Sequence, residues 1–179
     1  MKKEKQTPIH DFFSQDHRRV DALLEKATED IHHIDLNIYN EFRIALLTHI
    51  KMEENILFPA AKKANQNQPL PDFARFRSEH AAITTLLAVY PNPDLIKVLK
   101  YVLHRHDEAE EKPGGMYDIC ENLTQDQTDE LLHQLKNITP TPVHPPKKEN
   151  YVFEAAKRVL ARAGYDYDEL LRQLNDSQQ

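Results

Sequence analysis

Two stretches of this chain carry residues able to do chemistry. Leu46-Leu47-Thr48-His49-Ile50-Lys51-Met52-Glu53-Glu54 returns later as Leu103-His104-Arg105-His106-Asp107-Glu108-Ala109-Glu110-Glu111. Each holds a His and a Glu four residues apart, with a second Glu directly after. On a helix, residues four apart share a face, about 6 Å from each other along the axis. Imidazole nitrogen and carboxylate oxygen are metal donors. Two such pairs facing each other can hold metal inside a helical bundle.

The elements that must position them follow from the spacing of apolar residues. Pro8 suits a first helical turn. Phe13, His17, Val20, Leu24, Ala27 and Ile31 then recur at steps of four and three, predicting a helix over 8–30. His32 to Asp35 reads as a turn, and Asp35 or Asn37 caps a second helix over 36–63. Its stripe is Phe42, Leu46, His49, Glu53, Ile56 and Ala60, with Pro59 predicting an irregular last turn. A third helix over 71–89 carries Phe73, Phe76, His80, Ile83 and Leu87. After Pro91-Asn92-Pro93, a fourth carries Leu95, Leu99, Val102, His106 and Glu110, with Asp94 capping or charging its start. Pro113-Gly114-Gly115 breaks the pattern. Met116 to Leu123 resumes it, and Thr124 with Gln127 reads as a capping box for a short helix with Leu131, Leu132 and Leu135. The fold class is therefore all-α, an up-down four-helix bundle with extra C-terminal helices. Residues 1–138 make the bundle, 139–150 a linker with four prolines, and 151–179 a helical tail. The tail, capped by Gly164 between its two helices, has no core of its own and packs on the bundle or on a protein partner.

Composition narrows the classes. The chain has 179 residues, 23 Lys and Arg against 29 Asp and Glu, and a net charge of −6. That balance argues against a nucleic-acid partner, which needs clustered positive charge. No apolar run is long enough to span a membrane, and none follows the basic N-terminus as a signal peptide requires. A single cysteine, Cys120, fits a reducing cytoplasm and reads as a small buried hydrophobe.

The inward stripes, taken together, place His17, His49, His80 and His106 on four successive helices, with Glu53 and Glu110 one turn on from two of them. Six polar side chains in a core need partners, because an unpaired buried charge costs several kcal/mol (roughly). His104 also has a Glu four on, but it shares its face with Lys97, Lys100 and Tyr101 and points outward. The chain also repeats: Asp16-His17-Arg18-Arg19-Val20-Asp21-Ala22-Leu23-Leu24 parallels Glu79-His80-Ala81-Ala82-Ile83-Thr84-Thr85-Leu86-Leu87. A His followed by His-x-x-x-Glu thus occurs twice, giving three ligands from each half of a near-symmetric site. Nitrogen and oxygen donors without thiolate suit iron first, then manganese or zinc. A pair of ions sharing carboxylates makes fullest use of six donors.

These residues resemble the hemerythrin-like, or HHE cation-binding, family. The resemblance rests on His17; on His49 and Glu53 within His-Ile-Lys-Met-Glu-Glu-Asn-Ile-Leu-Phe-Pro; on His80 within Ser-Glu-His; and on His106 and Glu110 within His-Asp-Glu-Ala-Glu-Glu-Lys-Pro-Gly-Gly-Met-Tyr, over about residues 8–123. It implies a four-helix bundle with a non-haem, oxo- or hydroxo-bridged di-iron centre. His17, His49, His80 and His106 would be terminal ligands, and Glu53 and Glu110 would bridge. Oxygen-carrying members have a further histidine where this chain has Phe76. That departure disfavours reversible oxygen carriage and favours peroxide breakdown, or sensing of dioxygen, nitric oxide or iron supply. The small ligands implied are O2, peroxide and NO. A regulatory, iron-sensing or iron-storage module signalling through the tail is the alternative.

Elsewhere the plain reading holds. His10, His32, His33, His133 and His144 read as loop or surface residues. Glu54, Glu108 and Glu111 read as solvated or as lying just behind the ligands, with a role orienting a ligand's Nδ1–H the lesser alternative. Phe42, Phe73 and Phe76 read as core around the site, and Tyr101 and Tyr117 as packing rather than donors to a bound oxygen species.

Overall fold

The computed structural model describes residues 7–177, so the basic segment Met1–Lys5 lies outside the described residues. Helix α1 (Pro8–Ala27) opens on its proline. It stops three residues short of the predicted end, because the Thr28 hydroxyl turns back onto the Leu24 carbonyl at 2.8 Å. α2 (Leu36–Met52) starts at Asp35, whose carboxylate accepts from the N–H groups of Asn37 and Ile38 at 2.9 and 3.1 Å. α3 (Phe58–Ala64), α4 (Phe73–Ala88) and α5 (Pro93–Glu111) follow. The cap of α5 is Asn92, which accepts from Leu95 N–H at 3.0 Å. Asp94 takes the other role and charges the first turn.

The predicted continuous helix over 36–63 is broken earlier than Pro59. A π turn, Glu53–Leu57, separates α2 from α3, and Phe58 N–H reaches back five residues to the Glu53 carbonyl. Pro59 has no N–H for the carbonyl four residues back, which loosens the turn before it. A π turn adds one residue to the helix. The inward face therefore shifts by one: Leu57 and Ala61 are buried where the regular spacing predicts Ile56 and Ala60.

α6 (Met116–Leu123) and α7 (Thr128–Lys136) close one end. The predicted capping box does not form. Thr124 spends its hydroxyl on the Cys120 carbonyl at 2.8 Å, and a 3-10 turn, Gln125–Gln127, intervenes before α7. Residues 139–150 run as a strap. Thr141 N–H bonds Thr48 Oγ1, Arg43 bonds the His144 and Leu87 carbonyls, and Lys147 exchanges backbone bonds with Ala88 and Tyr90 at 2.8 Å. Apart from the Val89–Lys147 bridge, the described residues form no β-structure. α8 (Asn150–Arg162) packs along α4 and α9 (Tyr167–Asp176) along α5, joined through Gly164 at φ +96°. Ala156, Leu160, Tyr167 and Leu170 thereby join the core of the bundle.

The architecture is an all-α bundle with extra C-terminal helices. Its apolar interior is in two parts. One gathers Val20, Leu24, Phe42, Leu46, Ile83, Leu87, Leu99 and Val102. The other gathers Ile9, Phe13, Leu57, Phe58, Phe76, Met116 and Cys120. Along each of the four long elements, the histidines fall between these two parts.

Candidate metal centre

Helical spacing brings all six predicted side chains together. His17 comes from α1, His49 from α2, Glu53 from the first residue of the π turn, His80 from α4, and His106 and Glu110 from α5. All six are buried, with Glu53 and Glu110 sealed completely. They form two overlapping groups, His17-His49-Glu53-Glu110 and Glu53-His80-His106-Glu110, each with its donor atoms within 4.8 Å of one another.

The two carboxylates divide themselves between the groups. Glu53 sets Oε1 3.3 Å from His49 Nε2 and Oε2 3.1 Å from His80 Nε2. Glu110 sets Oε2 3.5 Å from His17 Nε2 and Oε1 3.4 Å from His106 Nε2. Each carboxylate thus gives one oxygen to each pair of histidines.

Each imidazole is also held from behind. The Nδ1 of His17 lies 2.7 Å from Glu111, that of His49 2.9 Å from Asp16, that of His80 2.8 Å from Glu54, and that of His106 2.8 Å from Glu79. Every one of these acids meets an arginine on its outer side: Arg18 on Glu111, Arg19 on Asp16, Arg77 on Glu54 and Arg75 on Glu79. A carboxylate on Nδ1 fixes the ring hydrogen there and turns the Nε2 lone pair inward. Glu54 and Glu111 are therefore not merely solvated, as their place outside the apolar stripes suggests. Asp16 and Glu79, about which the stripes say nothing, do the same work. The signals are present in the sequence as the doubled Glu after each His-x-x-x-Glu and the acid before His17 and His80.

Tyr117 also belongs to the centre. Its hydroxyl lies 2.6 Å from Glu53 Oε1, 3.0 Å from Glu110 Oε2, 3.0 Å from His17 Nε2 and 3.2 Å from His49 Nε2. It comes from α6, after the Pro113-Gly114-Gly115 break, where helical phase from α5 no longer applies.

The electrostatics call for positive charge at this spot. Burial by itself would lower the His49 pKa, but the Glu53 charge together with hydrogen bonds to Asp16 and Glu53 outweighs it and carries the group up to about 9. For His80, burial is again outweighed, here by hydrogen bonds to Glu53 and Glu54, and the value rises to about 10. Burial would raise Glu53, yet the facing histidines hold it well below the usual carboxylate range. A cavity of about 630 Å3 between α1 and α5 is lined by His17, Asp107, Glu111, Lys100 and Leu103 among others.

The family model of the hemerythrin HHE cation binding domain matches residues 9–113. The chain belongs to that family. Comparison with curated proteins and with solved structures returns no match. Among the described residues, no helix is long and apolar enough to cross a membrane.

The residues fit the cation that the hemerythrin family's description names. Glu53 Oε2 and Glu110 Oε1 are fully buried and accept no hydrogen bond of acceptable geometry, although imidazole nitrogens lie near them. His80 Nε2 and His106 Nε2 face each other at 3.1 Å. Two imidazole lone pairs at that distance, beside two unpartnered carboxylate oxygens, need a positive charge among them, either a shared proton or a metal cation. The donor set of buried His and Glu is compatible with metal binding, and the aromatic faces of Phe13, Phe58 and Phe76 close around it.

Proposed function

We propose that the six side chains hold two iron ions. His17 and His49 would serve one, His80 and His106 the other, and Glu53 and Glu110 would bridge them. In this reading the centre reacts with or senses a small oxygen species: peroxide, dioxygen or nitric oxide. The single observation that carries it is the division of each carboxylate's two oxygens between two histidine pairs. A donor set of nitrogen and oxygen favours iron, then manganese, then zinc. When bound, iron would supply reversible one-electron steps at each ion.

The chain's own contribution is orientation and exclusion. Asp16, Glu54, Glu79 and Glu111 hold the imidazoles, and the two apolar clusters keep bulk water from both ends. Phe76 stands edge-on to His106, with ring centroids 5.5 Å apart, and offers no donor. That leaves a coordination position for an exchangeable ligand. For an enzyme, the balanced reaction is two hydrogen peroxide molecules giving two waters and one dioxygen. Metal analysis should find two iron ions per chain, and the oxidised protein should show near-ultraviolet charge-transfer bands. Loaded protein should evolve oxygen from peroxide, and His106→Ala should abolish this. Full iron occupancy without turnover removes the enzymatic reading and leaves sensing.

One observation favours a regulatory alternative, with 1–138 as the metal unit, 139–150 as linker and 151–179 as the segment that signals to a protein partner in the cytoplasm. The Tyr165 hydroxyl, between α8 and α9, donates to Glu79 Oε1 at 3.4 Å, and Glu79 holds His106. Hydrogen exchange across α8 and α9 should then differ between iron-loaded and stripped protein. Identical exchange argues for a centre that the tail does not read.

A further inference from the structure

We infer that Tyr117 is itself a metal ligand, binding as phenolate to the ion held by His17 and His49. This rests on the two-ion reading above.

A phenol hydroxyl has one hydrogen to donate. The Tyr117 oxygen is surrounded by four atoms of the candidate ligands: two carboxylate oxygens, and Nε2 of His17 and of His49. The short contact to Glu53 Oε1 takes the one hydrogen. Glu110 Oε2 then faces the same oxygen at 3.0 Å with no phenol hydrogen left for it, in a fully buried place. An oxygen ringed by four candidate ligand atoms stands where a further ligand atom would stand.

The spacing agrees. In an octahedral site with bonds of about 2.1 Å, neighbouring donors lie about 3.0 Å apart, and each donor has four such neighbours. The Tyr117 oxygen has four, at 2.6, 3.0, 3.0 and 3.2 Å. Among these four, His49 Nε2 and Glu53 Oε1 are 3.3 Å apart and His17 Nε2 and Glu110 Oε2 3.5 Å.

The backbone is built to bring the ring here. Gly115 begins α6 against the end of α5, where an added Cβ would fall 2.6 to 2.8 Å from the carbonyls of Glu110, Lys112 and Ala109. Only glycine permits that approach, which places Tyr117 two residues on. The Tyr117 ring also stacks on Phe13 at 5.1 Å between centroids.

On binding, the phenol O–H bond breaks, a metal–oxygen bond forms, and the proton leaves to solvent. No electron is transferred.

The test uses the full chain, stripped, loaded with ferrous iron without oxygen and then oxidised in air. The wild-type protein should show a visible phenolate-to-ferric absorption band. Resonance Raman excitation within that band should enhance tyrosine ring modes, which shift when the protein is grown on ring-deuterated tyrosine. Tyr117→Phe should lose the band while Tyr101→Phe keeps it. The isotope experiment needs no variant, so a poorly folding Tyr117→Phe does not blunt the test. Two ions per chain with no phenolate band overturns the inference and leaves the di-iron centre standing. A band that survives Tyr117→Phe overturns it equally. Failure to bind iron at all overturns both.

Discussion

Replacing Glu79 by Gln tests whether the carboxylates behind the histidines set metal affinity. Gln keeps the shape and can still accept from His106 Nδ1, but it removes the charge. A charge-assisted hydrogen bond is roughly twice as strong as a neutral one, and outer-sphere partners of metal-bound His typically carry 10–100-fold in affinity. That range corresponds to about 1.4–2.7 kcal/mol. Exposure decides the order among the four acids. The Glu79 side chain is 2% exposed, Asp16 12%, Glu54 20% and Glu111 23%. Solvent screens the more exposed charges and can replace their hydrogen bonds. Glu79→Gln should therefore approach the ~100-fold end, with Glu54→Gln and Glu111→Gln nearer ~10-fold and Asp16→Asn between. Competition with a chromophoric chelator at fixed pH measures all four. Equal affinities, or larger losses at Glu54 and Glu111 than at Glu79, would refute the reasoning from burial.

Acidity gives a second handle. In stripped protein His49 and His80 have pKa values of about 9 and about 10, above the roughly 6.5 of an unfolded chain, so their protonation contributes stability fully below about pH 6.5 and loses it as pH rises through 9–10. The melting temperature of stripped protein should fall across that window while metal-loaded protein holds; parallel curves would sink the idea. Leu160→Ala, at a fully buried position where α8 meets the bundle, should cost about 2–5 kcal/mol in denaturant unfolding, and a cost under about 1 would show the tail to be loosely attached. Gly115→Ala should cost about 1–3 kcal/mol and also disturb the Tyr117 absorption band, because the start of α6 must move away from the α5 carbonyls; unchanged stability and spectrum would contradict the close approach.

What the sequence makes legible, and what it hides, divides along physical lines. A histidine on an apolar stripe is visible because helical spacing is local, so periodicity alone puts His17, His49, His80 and His106 on inward faces. The acids behind them are harder to find. Asp16 and Glu79 sit about 100° around the helix from the histidines they precede, and each serves the histidine of a neighbouring helix, His49 and His106. Such pairing across helices depends on how the helices dock, and periodicity within one helix does not encode it. The π turn at Glu53 has a partial signal in Pro59, yet which turn takes up the extra residue depends on packing against α6 and α7. Tyr117 is hidden for another reason, since two glycines and a proline erase the rotational phase between α5 and α6.

The repeat makes the two halves alike, and the departures from it give them different surroundings. Both have two histidines and one oxygen from each carboxylate. Around His17 and His49 stands the Tyr117 hydroxyl, a fifth donor under the assignment above. Around His80 and His106 stand Phe76 and Phe58, which donate nothing, and the two carboxylate oxygens without hydrogen bonds. The cavity between α1 and α5 reaches the half with more donors. If the proposed ions are bound, a small molecule entering there would meet the one beside His17 and His49 first, while the position that Phe76 does not fill would lie at the other. The phenylalanines shielding the four-donor half would keep water from competing for that position.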